Sequence, residues 1–205
     1  MRKVIALQLI CVIFLAASCF STPKITRVQG PVQDLSGNWN ANDVKIVCDS
    51  LISDAIASPR LSTYITSYRA AHNGALPTVI IGMFKNDTSE HIDTSIITSI
   101  MRTSIINSGR LDFVESGELR DAIRDERQDQ QANASEATAA ALGNETGAVF
   151  ILNGEVKSLI DRAGNTTVRT YYVTASLTEI ATNRVIWEGQ NNTIQKVIQQ
   201  AAVKP

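Results

Sequence analysis

Several residue types and patterns are scarce in these 205 residues, and each scarcity removes a class of function. Histidine occurs only at His72 and His91, and cysteine only at Cys11, Cys19 and Cys48. A metal centre needs several His, Cys or carboxylate ligands at close spacing. Only His91 and Asp93 come near that pattern. No Gly-x-Ser-x-Gly elbow presents a nucleophile, and no Gly-x-x-x-x-Gly-Lys or Gly-x-Gly-x-x-Gly loop is present to cradle phosphate. Positive charge is scarce as well. The 19 basic and 20 acidic residues give a net charge of −1, with no basic cluster, so nucleic acid is not an expected partner. Long apolar runs are limited to residues 4–17, about 14 residues against the roughly 20 that a membrane-spanning helix needs. The sequence supports no enzymatic role and implies no cofactor or metal.

What is present begins at the N-terminus. Arg2 and Lys3 precede the apolar run, and small residues lead to Cys19, the layout of a secretory signal peptide. Leu15-Ala-Ala-Ser-Cys19 also resembles a bacterial lipobox, in which the cysteine is acylated and becomes the mature N-terminus. The plainer reading is an ordinary cleaved leader with an incidental cysteine. On the lipobox reading residues 1–18 are the leader, and residues 19–34 are a lipidated cysteine and flexible tether. Residues 35–205 then form one domain. Two or three acyl chains would anchor it firmly to a membrane. Losing Arg2 and Lys3 leaves 17 basic residues against 20 acidic ones, near −3. Cys48 then stands alone, cannot form an intramolecular disulfide, and is expected to be a small core hydrophobe.

The domain, with 44% hydrophobic residues over the whole chain, has the means to bury a core. Val44, Val47, Cys48, Leu51, Ile52 and Ala55 recur at helical spacing behind a possible cap at Asn40 or Asn42. Leu61, Ile65 and Tyr68 predict a second helix that stops near Gly74. Residues 78–84 are a β-branched run that predicts a buried strand. Ile97, Ile100, Met101 and Ile105 then predict a helix ended by Asn107-Ser-Gly109. A short strand at 111–115 follows, and then a charged helix from Glu118 with Leu119 and Ile123 as its inner residues. Residues 135–142 are Ala-rich and read as helix. The last third switches to period two. Strands at 148–160, 168–180 and 184–189 form a meander, and residues 193–203 read as an amphipathic tail or short helix. The expected fold is α/β, with a mixed sheet packed by helices mainly on one face.

The polar residues 85–94, between the first strand and its helix, sit where α/β folds place ligands. They also sit where any βα connection must be polar. Asp93 or Thr94 falls at the helix start, where a capping side chain belongs, so His91 and Asp93 are expected to organise the loop rather than perform chemistry.

Several separated stretches together resemble the LpoB family of penicillin-binding-protein activators. They are Asp34-Leu-Ser-Gly-Asn-Trp-Asn40, Phe84-Lys-Asn-Asp-Thr-Ser-Glu-His-Ile-Asp-Thr94 and Ser108-Gly-Arg-Leu-Asp-Phe-Val114, followed by Gly147-Ala-Val-Phe-Ile-Leu-Asn-Gly-Glu155, Tyr171-Tyr172 and Ile186-Trp-Glu-Gly189. The resemblance implies a domain similar to the N-terminal domain of TolB, carried on an outer-membrane lipoprotein attached through Cys19. It further implies allosteric activation of a class A penicillin-binding protein, a peptidoglycan synthase. A competing expectation is a subunit of an envelope assembly resembling the CsgG secretion lipoprotein. A hydrolase using His91 and Asp93 is the third. For docking, alternation places Tyr172 on the polar face of its strand, with Arg162 and Arg169 near the same hairpin. An outward aromatic supplies contact area at low entropic cost.

Overall fold

The computed structural model describes Asp34 and residues 36–133 and 145–200. The leader, Cys19, the tether up to residue 33 and the Ala-rich stretch 135–142 lie outside the described residues. Helices α1 (Ala41–Ala57) and α2 (Pro59–Ala71) open the domain. Strand β1 (Thr78–Asp87), helix α3 (Thr94–Ser108), short strand β2 (Asp112–Phe113) and helix α4 (Glu118–Asn133) follow. Four strands complete it: β3 (Phe150–Ala163), β4 (Thr166–Glu179), β5 (Val185–Asn191) and β6 (Gln195–Gln199).

Local chemistry explains the boundaries. Asn40 caps α1 through a reciprocal box with Asp43, and Asp93 caps α3 by accepting from the Ser95 amide at 2.9 Å. Helix α3 ends at Gly109, whose φ of 61° is the left-handed geometry that glycine adopts without a Cβ penalty. Ser58-Pro59 separates α1 from α2, with proline at the first helical position, where its missing N–H costs nothing.

The sheet order is β2-β1-β3-β4-β5. Strand β1 runs parallel to both β2 and β3, and the remaining pairs are antiparallel. Strand β4 is shared along its length. Its residues 173–178 pair with β5, and its residues 166–170 pair with β6. The mixed sheet and C-terminal meander match the sequence expectation, with one correction. The tail expected to be amphipathic or helical contains a strand, because β5 leaves the first half of β4 without a partner and Gln195–Gln199 fills that edge.

One sheet face is covered by helices. Helix α1 packs on α3 and β5, α2 on α1 and β5, and α3 on β1 and β2. Val47, Cys48, Leu51, Leu61, Ile97 and Met101 meet Val79, Phe150, Leu152, Val156, Tyr171, Val173 and Leu177 in a single core. Cys48 is fully buried, its thiol donates toward the Ile97 carbonyl, and burial pushes its pKa up to about 12. It is inert packing, as its lone status suggested. At Gly154 the Phe84 ring lies where a Cβ would stand, so the glycine admits an aromatic between β1 and β4.

Helix α4 departs from expectation. Leu119 and Ile123 were predicted to face inward, yet they are 56% and 41% exposed, and no residue of the helix is buried. Helical spacing orients an apolar stripe but does not supply a surface to cover it.

Candidate functional site

The residues that made 85–94 conspicuous in the sequence prove to be structural, and their centre is Glu90. Its carboxylate accepts from the Trp39 amide at 2.9 Å and from the Tyr171 hydroxyl at 2.6 Å, and it pairs with Arg169. Both partners of that ion pair are largely buried, at 14% and 13% side-chain exposure. Arg169 also donates to the Gly37 carbonyl at 3.0 Å and to Asn38 Oδ1 at 2.7 Å. The Trp39 ring meets the Tyr171 ring edge-on at 5.0 Å. Burial, then the bond to Glu90, holds the Tyr171 phenol well above its ordinary pKa. Beside this cluster the buried Lys196 bridges Asp43 at 2.9 Å and Asp34 at 2.6 Å. The strand start, the polar loop and the segment around Asp34 to Asn40 are thus locked together on the helical side.

His91 is exposed, and Asp93 caps α3. The Ser95 hydroxyl and amide hold the Asp93 carboxyl below the usual range, with a smaller contribution from His91. His72 stacks on Tyr68 at 3.8 Å, away from that loop in sequence. Among the described residues no group of three or more His, Cys, Asp or Glu could hold a metal ion.

The other sheet face lies away from the core that α1, α2 and α3 cover. Directly opposed residues share a face, so the register defines its surface. Tyr172 lies opposite Lys157, Leu159 opposite Thr170, and Val168 between Asp161 and Val197. Leu159 and Val197 are 60% and 62% exposed, and Tyr172 is half-buried. Toward β1 the charges alternate. Lys85 faces Glu155 and Asp87 faces Lys157, with a 2.5 Å ion pair from Lys157 to Glu155. A shallow depression of about 480 Å³ there is lined by Met83, Lys85, Asn153, Glu155, Thr174 and Glu188, among others.

The three residues expected to dock a partner do not share this face. Tyr172 is on it, as alternation required. Arg169 lies one position over, on the Tyr171 side, with its guanidinium engaged by Glu90 and the Gly37 segment. Arg162 pairs with Thr167 at the exposed hairpin tip, on the Arg169 side of the register. Sequence proximity brought them together; the two-residue period separates them. Glu90 was missed because a single glutamate in a polar loop reads as solvated. Its only signal was its place in the stretch that carried the family resemblance.

Comparisons with known proteins give a family and several similar structures. The family model "Peptidoglycan-synthase activator LpoB" matches residues 43–193. The C-terminal domain of LpoB from Salmonella enterica is 16% identical, with a TM-score of 0.41, covering 77% of this chain and 99% of that one. The corresponding Escherichia coli domain is 14% identical with a TM-score of 0.38, covering 75% and 98%. The solution structure of E. coli LpoB is 16% identical with a TM-score of 0.40, covering 90% and 85%. No curated protein matches the chain.

Proposed function

The chain belongs to the LpoB family of peptidoglycan-synthase activators, and we propose that it binds a bifunctional class A penicillin-binding protein and activates it allosterically. The observation that carries this reading is the family match across residues 43–193, which takes in the whole sheet except β6. The protein supplies no chemistry of its own to the reaction. It acts by binding one conformation of the synthase better than another, and a tenfold shift in that equilibrium requires about 1.4 kcal/mol of differential affinity.

The docking surface we propose is the open sheet face centred on Tyr172, with Leu159 and Val197 as its apolar neighbours and Lys157 beside it. Half-buried tyrosine is rigid, and its hydroxyl end stays available for a hydrogen bond, the profile of an interface anchor. Arg162 contributes from the hairpin tip at the rim, while Arg169 acts indirectly, holding β4 against the Glu90 cluster. Lipidation of Cys19, with the domain in the periplasm and the anchor in the outer membrane, supplies the location. Residues 20–33 would span at most about 50 Å if fully extended.

The test is a binding titration of the protein against the purified synthase, followed by glycan polymerisation with and without it. The expected result is saturable binding that raises the polymerisation rate, and a Tyr172→Ala variant that binds at least about tenfold more weakly. Undiminished affinity in that variant removes the assigned surface. Absence of both binding and stimulation removes the functional reading.

A further inference from the structure

On the helical side, away from the open face, α2 and the chain leaving α3 enclose a depression of about 580 Å³. That volume lies within the range of small-molecule sites. Among its lining residues are Ser62, Thr66, Arg69, Gly74, Gly109 and Arg110, and no carboxylate lines it.

Two arginines without an acidic partner line this groove together, Arg69 exposed and Arg110 half-buried. Arg102, Arg124, Arg127, Arg169 and Arg184 each pair with an acidic side chain. Arg69 and Arg110 take part in no ion pair among the described residues. Each uses one donor internally. Arg69 Nε donates to the Gly74 carbonyl at 3.2 Å, and Arg110 Nη2 donates to Ser62 Oγ at 2.8 Å. A guanidinium has five N–H donors in a planar fork. Arg110 Nε is buried without a partner, as are nitrogens of Arg102, Arg120 and Arg169, so a ligand would have to meet the terminal amino groups of Arg110. These internal bonds orient both groups while leaving most of their donors unused.

The helix ends do not cancel the charge. Both helices end beside this depression, α2 with Ala70 and the following Gly74 in its wall and α3 with its cap Gly109. Each C-terminus carries about half a negative charge. Two full guanidinium charges exceed that, so the site keeps a net positive potential of roughly one charge. Its wall also includes the buried side chain of Ile65, which lowers the local dielectric and strengthens attraction for an anion.

We propose that this groove binds a small oxyanion, a phosphate or carboxylate group held between Arg69 and Arg110. The proposal is independent of the synthase-docking surface, because it concerns the opposite side of the sheet. It predicts a ligand taken up by charge-assisted hydrogen bonds, for which lysine would be a poor replacement for arginine.

Nuclear magnetic resonance on the full chain in detergent micelles tests it. Inorganic phosphate, glycerol phosphate and citrate are titrated in turn at constant ionic strength, and the Gly74 and Gly109 amides are followed. The expected result is saturable shifts at both glycines with a dissociation constant of about a millimolar or tighter. Arg69→Gln and Arg110→Gln should each weaken binding at least about fivefold. Arg110→Gln also removes the bond to Ser62, so exposed Thr66→Glu serves as a second variant. It places a carboxylate in the groove without touching the core and should abolish saturation. Arg60→Gln, half a helical turn out of phase on α2, should leave the titration unchanged.

Saturation by both phosphates but not citrate assigns the site to phosphate esters, including lipid headgroups, and saturation by inorganic phosphate alone assigns it to the free ion. Saturation by citrate alone assigns it to carboxylates. Linear shifts with all three anions, or saturation that survives both Arg69→Gln and Thr66→Glu, would overturn the proposal.

Discussion

Replacing Glu90 with alanine should be among the most destabilising single changes in this domain. The carboxylate serves three groups at once: the Trp39 amide before α1, and the Tyr171 hydroxyl and Arg169 guanidinium on β4. Removing it leaves a largely buried arginine without its counter-charge and a buried phenol without its acceptor. Breaking one side of a buried ion pair costs about 3–5 kcal/mol, because the remaining charge stays desolvated. Residual solvent access to Arg169 places the expectation toward the lower end, about 3 kcal/mol. For a domain of this size each kilocalorie lowers Tm by roughly 2–4 °C, so the loss should be about 6–12 °C. Urea denaturation of Glu90→Ala, Arg169→Met and the double variant forms a cycle that isolates the pair. The double variant should be less destabilised than the two single losses added together, since removing both charges leaves neither stranded. A loss below about 1 kcal/mol in Glu90→Ala, or strict additivity in the cycle, would refute the claim that this cluster holds the domain's opening segment on the sheet.

Three further outcomes follow from particular contacts. Gly154→Ala places a Cβ into the Phe84 ring and 2.6 Å from the Thr174 carbonyl, and should cost about 1–3 kcal/mol by chemical denaturation. Glu179 is held at a pKa of about 2 by hydrogen bonds from the Thr182 and Tyr64 hydroxyls, followed by the nearby Arg184. Its contribution is therefore complete above about pH 4.5 and is lost as the pH falls toward 2, so Glu179→Gln should flatten the pH dependence of Tm across that window. Tyr172→Ala should change stability by less than about 1 kcal/mol in thermal melts while weakening synthase binding, a separation that a core residue such as Tyr171 would not show.

The parts of the fold legible in the sequence are those where periodicity and burial coincide. Val44, Val47, Cys48, Leu51, Ile52 and Ala55 sit on a helix between core and solvent, and all six are buried. Tyr171, Val173, Ala175 and Leu177 alternate toward the core, and all four are buried as well. The same logic fails where an apolar stripe has no cover. Leu119 and Ile123 have helical spacing on α4, but exposure depends on what the chain packs beside them, which spacing does not encode. Residues 195–199 fail for a related reason. They form a strand because the edge of β4 from 166 to 170 is open, and that vacancy arises from where β5 ends rather than from any property of the tail. Lys196 illustrates the point: a lysine in a polar tail reads as solvated, yet two aspartates at 2.9 and 2.6 Å make its burial tolerable.

The site divides along the same line. Two of the stretches that carried the family resemblance hold Gly37, Asn38 and Trp39, and Glu90 and Asp93, all with fixed structural duties on the helical side. Such residues identify a fold strongly and say little about a partner. The surface proposed for docking is built from residues with almost no duties: Tyr172, Leu159, Val168 and Val197 could each change without breaking a buried hydrogen bond in this structure. This division predicts where substitutions act. Changes at Glu90, Arg169 or Lys196 should lower affinity and stability together, because they loosen β4 and β6 beneath the proposed docking face. Changes at Leu159 or Val197 should lower affinity alone. Equal losses of stability from both groups, measured by urea titration beside synthase binding, would show that the open face belongs to the folding core.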